Sequence, residues 1–233
     1  MATVRKSTSD ITSAEWDQLI KAINRLHGTD VDPPAYRNFV KVHTRSMTNA
    51  EAMANWRVHT MQDMGVRGVN FLAWHRQFVI RLEERLQQVT DSSVFIPYWD
   101  WIEHPHPPAR ISDPDLLNRW SVDRNFDIDL MPSAADVQAV RARERFRGFQ
   151  SALEGGPHNA VHNAVGGDMQ NADSPRDPLF FLHHANVDRI WYRWQENHPA
   201  QNPANMGEVL QPGLVGVPVS SVADRSNLPY SYA

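Results

Sequence analysis

The sequence predicts a mainly α fold, with helices gathered into one bundle and joined by long irregular loops. Three observations lead there. Apolar residues recur at helical spacing in several long stretches. Histidines sit inside those stretches, and His158 and His162 stand four apart, which puts both imidazoles on one helical face one turn apart. Residues 90–133 hold Pro97, Pro105, Pro107, Pro108, Pro114 and Pro132 with little periodicity, and read as loops packed over the bundle. A chain of 233 residues fits one domain, 1–233, with enough length to bury a core.

The first predicted helix begins after Thr12, which forms a Thr-x-x-Glu capping box with Glu15. Trp16, Leu19, Ile20, Ile23 and Leu26 then share a face, and Gly28 is a plausible stop. His27 at its end reads as a solvated or dipole-pairing residue. Pro33-Pro34 breaks the chain and starts a helix on which Tyr36, Phe39, Val40 and His43 align. From Phe71 to Val89 the stripe Phe71, His75, Phe78, Val79, Leu82, Leu86 turns His75 inward. A helix is expected from Ala134 to Leu153, capped by Ser133, with RARERFR as an exposed charged face. The last long helix runs from Pro178 to about Asn197, with His184, Asp188 and Trp191 on one face and His183 turned by roughly 100°. After His198 the chain is rich in Pro, Gly, Asn and Ser and reads as a tail laid along the domain. His104 and His106, in EHPHPP, read as surface loop residues.

Composition excludes several classes. A net charge of −4 gives no footprint for nucleic acid or an anionic membrane. No apolar run is long enough to span a bilayer. MATVRKSTSD has no apolar stretch like that of a secretory signal, so a cytoplasmic location is the expectation. With no cysteine, disulfides and thiolate metal sites are ruled out. Eleven histidines instead point to an imidazole-only site. Two imidazoles on one helical face and a third from another helix make a three-nitrogen site that satisfies copper, zinc or iron and leaves a position open for chemistry. Clusters on separate helices suggest two metals facing each other.

PHNAVHNAVGGDM followed by RDPLFFLHHANVDRIW resembles the second copper-binding region of tyrosinases and polyphenol oxidases. FLAWHRQF resembles the end of their first, and FIPYWDW the block that follows it. The resemblance covers roughly residues 36–101 and 149–198, with a weaker echo at Pro229-Tyr230-Ser231-Tyr232. It implies an antiparallel four-helix bundle core holding two copper ions in a dinuclear type 3 site. It implies His158, His162 and His184 on one copper, with His183 outside the ligand set, and His43 and His75 on the other. A buried His43 bonded to a backbone carbonyl is the plain alternative. The family's usual second ligand of the first copper falls at Val66, which cannot bind metal. His59, sixteen residues from both His43 and His75, is the nearest histidine, and Gly65 and Gly68 permit a loop that brings it back over the site. The rival is a first site with two histidines. Glu154 and Asn159 match residues that hold a water near the metals in members acting on monophenols. Asp188 and Arg189 brace helices, and the PYWDW block is structural, with Asp100 in an internal charge-assisted bond.

The activity so implied uses O2 to ortho-hydroxylate monophenols and to oxidise o-diphenols to o-quinones. The partners are O2 and phenolic or catecholic small molecules, with a copper-delivery helper protein as in some bacterial relatives. Nothing in the chain is left to build the C-terminal domain that covers the site in larger members. Catechol oxidase, o-aminophenol oxidase, an O2 carrier, an inactive relative and a zinc or iron hydrolase are the alternatives. The hydrolase would need carboxylate ligands, and the motifs place none at ligand spacing.

Overall fold

The computed structural model describes residues 3–28, 31–32, 35–90, 93–212 and 215–233. The Pro33-Pro34 break lies outside them. The expected mainly α fold is observed. Its helices are α1 (Ser13–Leu26), α2 (Tyr36–Thr48), α3 (Ala50–Trp56), α4 (Phe71–Thr90), α5 (Pro114–Trp120), α6 (Ala134–Arg141), α7 (Phe146–Leu153), α8 (Asn159–Val165), α9 (Leu179–Asn197) and α10 (Val219–Ala223). Two short strands, β1 (Thr3–Arg5) and β2 (Tyr230–Tyr232), pair in parallel and tie the two ends of the chain together.

The central helices α4 and α9 pack against each other, and α1 lies along α4. Both central helices are buried over most of their length, and the polar residues they bury, His75, Arg76, His183, His184 and Asp188 among them, face the site or one another. Helices α2 and α8 complete the four-helix core around them. Trp74, Trp99, Trp101, Trp191 and Trp194 are fully buried. The expected capping box forms at Thr12–Glu15, and Ser133, expected as a cap, forms one with Asp136 as well. Among the described residues no helix is long and apolar enough to cross a membrane.

Two expectations fail here. The helix expected over 134–153 is broken into α6 and α7 at residues 142–145. Val137 and Val140 are buried on α6, and Phe146, Phe149 and Leu153 on α7. The six-residue step from Val140 to Phe146 rotates an unbroken helix by about 240°, so only a break lets both apolar stripes face inward. Within the loop stretch 90–133, α5 was not foreseen. Pro114 starts it rather than breaking it, and Asp113 accepts hydrogen bonds from Asp115 N and Leu116 N at 2.9 and 3.2 Å.

A buried ionic cluster locks the bundle. Asp188 on α9 accepts from Arg76 Nε on α4 and from the hydroxyls of Tyr230 and Tyr232 on β2. Arg5 on β1 bonds Glu83 at 3.1 Å and lies over the Tyr230 ring at 3.6 Å. Arg189 meets Asp100 at 2.8 Å, as expected of two bracing residues.

Candidate metal centre

Seven buried or half-buried imidazoles converge in the middle of the bundle. His43 comes from α2, His75 from α4, His162 from α8, and His183 and His184 from α9. His158 closes the segment Glu154–His158, which kinks at Gly156, where the backbone leaves helical geometry (φ −104°, ψ −107°). His59 comes from the loop between α3 and α4.

They form two groups. The ligand atoms of His43, His59 and His75 lie within 4.8 Å of one another, and so do those of His158, His162, His183 and His184. The groups face each other: the His75 and His184 rings stack at 4.1 Å. His59 is 8 % exposed, so its ring is buried in the site. His183 departs from expectation. Its ring lies 5.3 Å from His158 and 5.0 Å from His162, and it adds a fourth imidazole to the second group. The 100° helical rotation between neighbours leaves its ring beside the group rather than outside the site. In a bundle this crowded, both positions face buried nitrogen.

The hydrogen bonds say which nitrogen is free. A backbone carbonyl can only accept, so a ring nitrogen that meets one carries the proton. His43 Nδ1 meets Ala172 O at 2.8 Å, His75 Nδ1 meets Phe71 O at 2.8 Å, and His162 Nδ1 meets Met169 O at 2.6 Å. His158 Nδ1 is shared by Glu154 O at 3.1 Å and Asn159 Oδ1 at 3.0 Å. In all four the Nε2 lone pair is left without a partner, buried and pointed into the site, as it is in His59. Both nitrogens of His183 and of His184 are unpartnered. Buried polar atoms are rarely orphaned, and a set of orphaned, oriented imidazole nitrogens is what a metal centre requires. The donor set, imidazole only, fits copper. Burial holds the imidazoles neutral: it lowers His43 to about 3 and His162 to about 4, and the rest well below their ordinary value.

His59 is placed by its loop. Met61 and Val66 pair through two backbone bonds across a turn in which Gly65 takes φ +66°. Val66 is thereby spent on the turn. Gly68 then passes so close that a Cβ on it would meet Thr60 N at 2.7 Å and His59 C at 2.8 Å. Thr60 grips Glu154 twice: its N–H donates to Oε1 at 2.7 Å and its hydroxyl to Oε2 at 2.8 Å. The loop carrying one group's ligand is thus fastened to the turn carrying the other's. Nothing in the sequence marked Thr60, since a lone threonine in a loop has no distinguishing pattern. Burial raises Glu154 to about 7, against the lowering effect of the two Thr60 bonds. Glu154 and Asn159 both line an open cavity of about 1120 Å³.

His27, expected in solvent, is half-buried. It stacks on Tyr36 at 4.1 Å, and desolvation lowers it to about 4. It joins neither group.

Comparison with known proteins agrees with this centre. The family model described as the common central domain of tyrosinase matches residues 33–129 and 110–197. A tyrosinase of Streptomyces glaucescens is 30% identical over 84% of this chain and 84% of its own. A tyrosinase of Streptomyces antibioticus is 29% identical over 90% of this chain and 92% of its own. A functional unit of octopus hemocyanin has the same fold, with TM-score 0.81 at 23% identity, covering 99% of this chain and 68% of that one.

Proposed function

Because the chain belongs to the tyrosinase family, whose type 3 sites hold two coppers, we propose that it uses O2 to ortho-hydroxylate monophenols and to oxidise o-diphenols to o-quinones. His43, His59 and His75 are assigned to one ion, and His158, His162 and His184 to the other. The observation that carries the reading is the set of buried Nε2 atoms left free in two facing groups. His184 is preferred over His183 because its ring stacks on His75 at the junction of the groups, where one ion faces the other. When bound, the copper pair supplies O2 binding and the electron transfer to and from it.

The chain's own residues supply the rest. The carbonyls of Phe71, Glu154, Met169 and Ala172 fix four imidazoles in one tautomer. Phe180 packs against His184 and His43 at 4.1 and 5.0 Å, and Phe71 against His158 at 4.7 Å, which keeps bulk water from the nitrogens. A phenol's ordinary pKa is near 10, so a monophenol arrives protonated at pH 7 and a base is needed. Glu154, buried at the cavity with a pKa of about 7, is matched to that task, directly or through a water shared with Asn159. A catechol oxidation makes less demand on it.

Oxygen uptake by copper-loaded protein with tyrosine and with catechol is the test. Uptake with both supports the reading. Uptake with catechol alone removes the Glu154–Asn159 proposal and makes the protein a catechol oxidase. The hemocyanin-like fold favours a second reading, reversible O2 binding without turnover. Turnover of catechol rules that reading out, and reversible O2 binding with no turnover of either phenol supports it.

A further inference from the structure

The cavity beside the metal centre carries two cations that the fold does not use. Arg67, in the loop after the Met61–Val66 turn, and Arg147, on α7, both line it and are both exposed. Among the described residues neither has an ion-pair partner. Arg57 and Arg189, by contrast, pair with Glu208 and Asp100. Arg147 also stands where a cation gains nothing for the helix. It is the second residue of α7, whose first turn holds no acid, and the positive end of the peptide dipoles repels it there. It ends the run RARERFR, four arginines against one glutamate, in a chain whose net charge is −4. Two carboxylates share the cavity lining. Glu154 already accepts on both oxygens from Thr60. Asp63 is the other, on the exposed turn, so the mouth holds two unpaired cations to one free carboxylate.

We propose that this cavity selects phenols bearing a carboxylate on a short side chain, which Arg67 and Arg147 hold at the mouth while the phenol reaches the metal centre. This rests on the oxidase reading above and deepens it. Guanidinium groups match a carboxylate in shape and charge, and pair with it through two parallel bonds. A cavity of about 1120 Å³ has room for a ring with a two- or three-carbon arm. The chemistry excludes an amine-bearing phenol as the preferred substrate, because its ammonium meets the same two cations.

The test compares 3-(3,4-dihydroxyphenyl)propanoate with its methyl ester, which has nearly the same shape and no charge. Both are assayed with the wild type and with the double variant Arg67→Gln, Arg147→Gln. The expected wild-type kcat/KM ratio of acid to ester is on the order of 10 at low salt, from two partly exposed charge contacts. It falls toward 1 in the double variant, because kcat/KM for the acid drops toward that for the ester, and toward 1 in the wild type near 1 M salt, where screening acts within about 3 Å. An acid-to-ester ratio equal in the two proteins overturns the proposal. If neither catechol is oxidised by copper-loaded wild type, the oxidase reading has failed. The charge preference is then read from calorimetric binding of 3-phenylpropanoate against its methyl ester, which needs no turnover; equal binding overturns it.

Discussion

A histidine ring is best placed to bind metal through one nitrogen when something else holds the other. His43, His75, His158 and His162 meet that condition through carbonyls. His59 meets it differently, because the loop that carries it is pinned at Thr60 and Gly68. Two predictions follow at this scale. Gly68→Ala forces a Cβ to within 2.8 Å of backbone at His59 and Thr60, so it displaces the loop. It should lower bound copper toward one per chain and cost about 1–3 kcal/mol in urea unfolding, as overpacking does. Thr60→Val keeps the N–H bond to Glu154 and removes the hydroxyl, leaving Glu154 Oε2 and Gly68 N unpartnered. Tyrosine oxidation should fall severalfold relative to catechol oxidation, and Thr60→Ser should restore the ratio; an unchanged ratio in the valine variant means that Thr60 does not position Glu154. His59 was legible only as the nearest histidine upstream of a position that could not serve. Thr60 was not legible at all, because its role lies in a contact 94 residues away.

Elements were legible where one apolar stripe ran unbroken. α1, α2, α4 and α9 each bury a stripe of that kind, and His43, His75 and His184 fall on it. The span 134–153 misled because its two stripes are each regular but out of phase. β1 and β2 were invisible as a pair, since a three-residue strand has no period to read and its partner lies at the other end of the chain. What joins these elements is Asp188. It takes bonds from α4 and β2 at once, so removing it leaves Arg76 buried without its carboxylate and Arg5 without one of its two. Asp188→Ala should cost about 3–5 kcal/mol, the usual penalty for stranding a buried charge. Urea unfolding of the copper-free protein measures it, and a loss under about 1 kcal/mol would mean that the cluster contributes little.

The molecule as a whole is a shell built around nitrogen atoms that need a metal. Copper-free, it holds imidazoles whose pKa values burial has lowered, His43 to about 3 and His162 to about 4. As pH falls below 6.5 the unfolded chain takes up protons that the folded chain refuses, so stability should fall from pH 6.5 down to about 3. Glu154, raised to about 7, acts oppositely between its ordinary 4.5 and 7, but it is one group against several. Copper binds the neutral imidazoles, so loading should raise the melting temperature at pH 7, and the gain should shrink only as the pH nears 4 and below, where the buried imidazoles take up protons. Melting curves with and without copper across this range check both signs.

Two sets of three imidazoles are each assigned one copper. Copper per chain, measured in the wild type and in His59→Ala after identical loading and dialysis, is the decisive measurement. Two ions are expected in the wild type and one in the variant. Two in both would take His59 out of the centre, and fewer than two in the wild type would contradict the paired site itself.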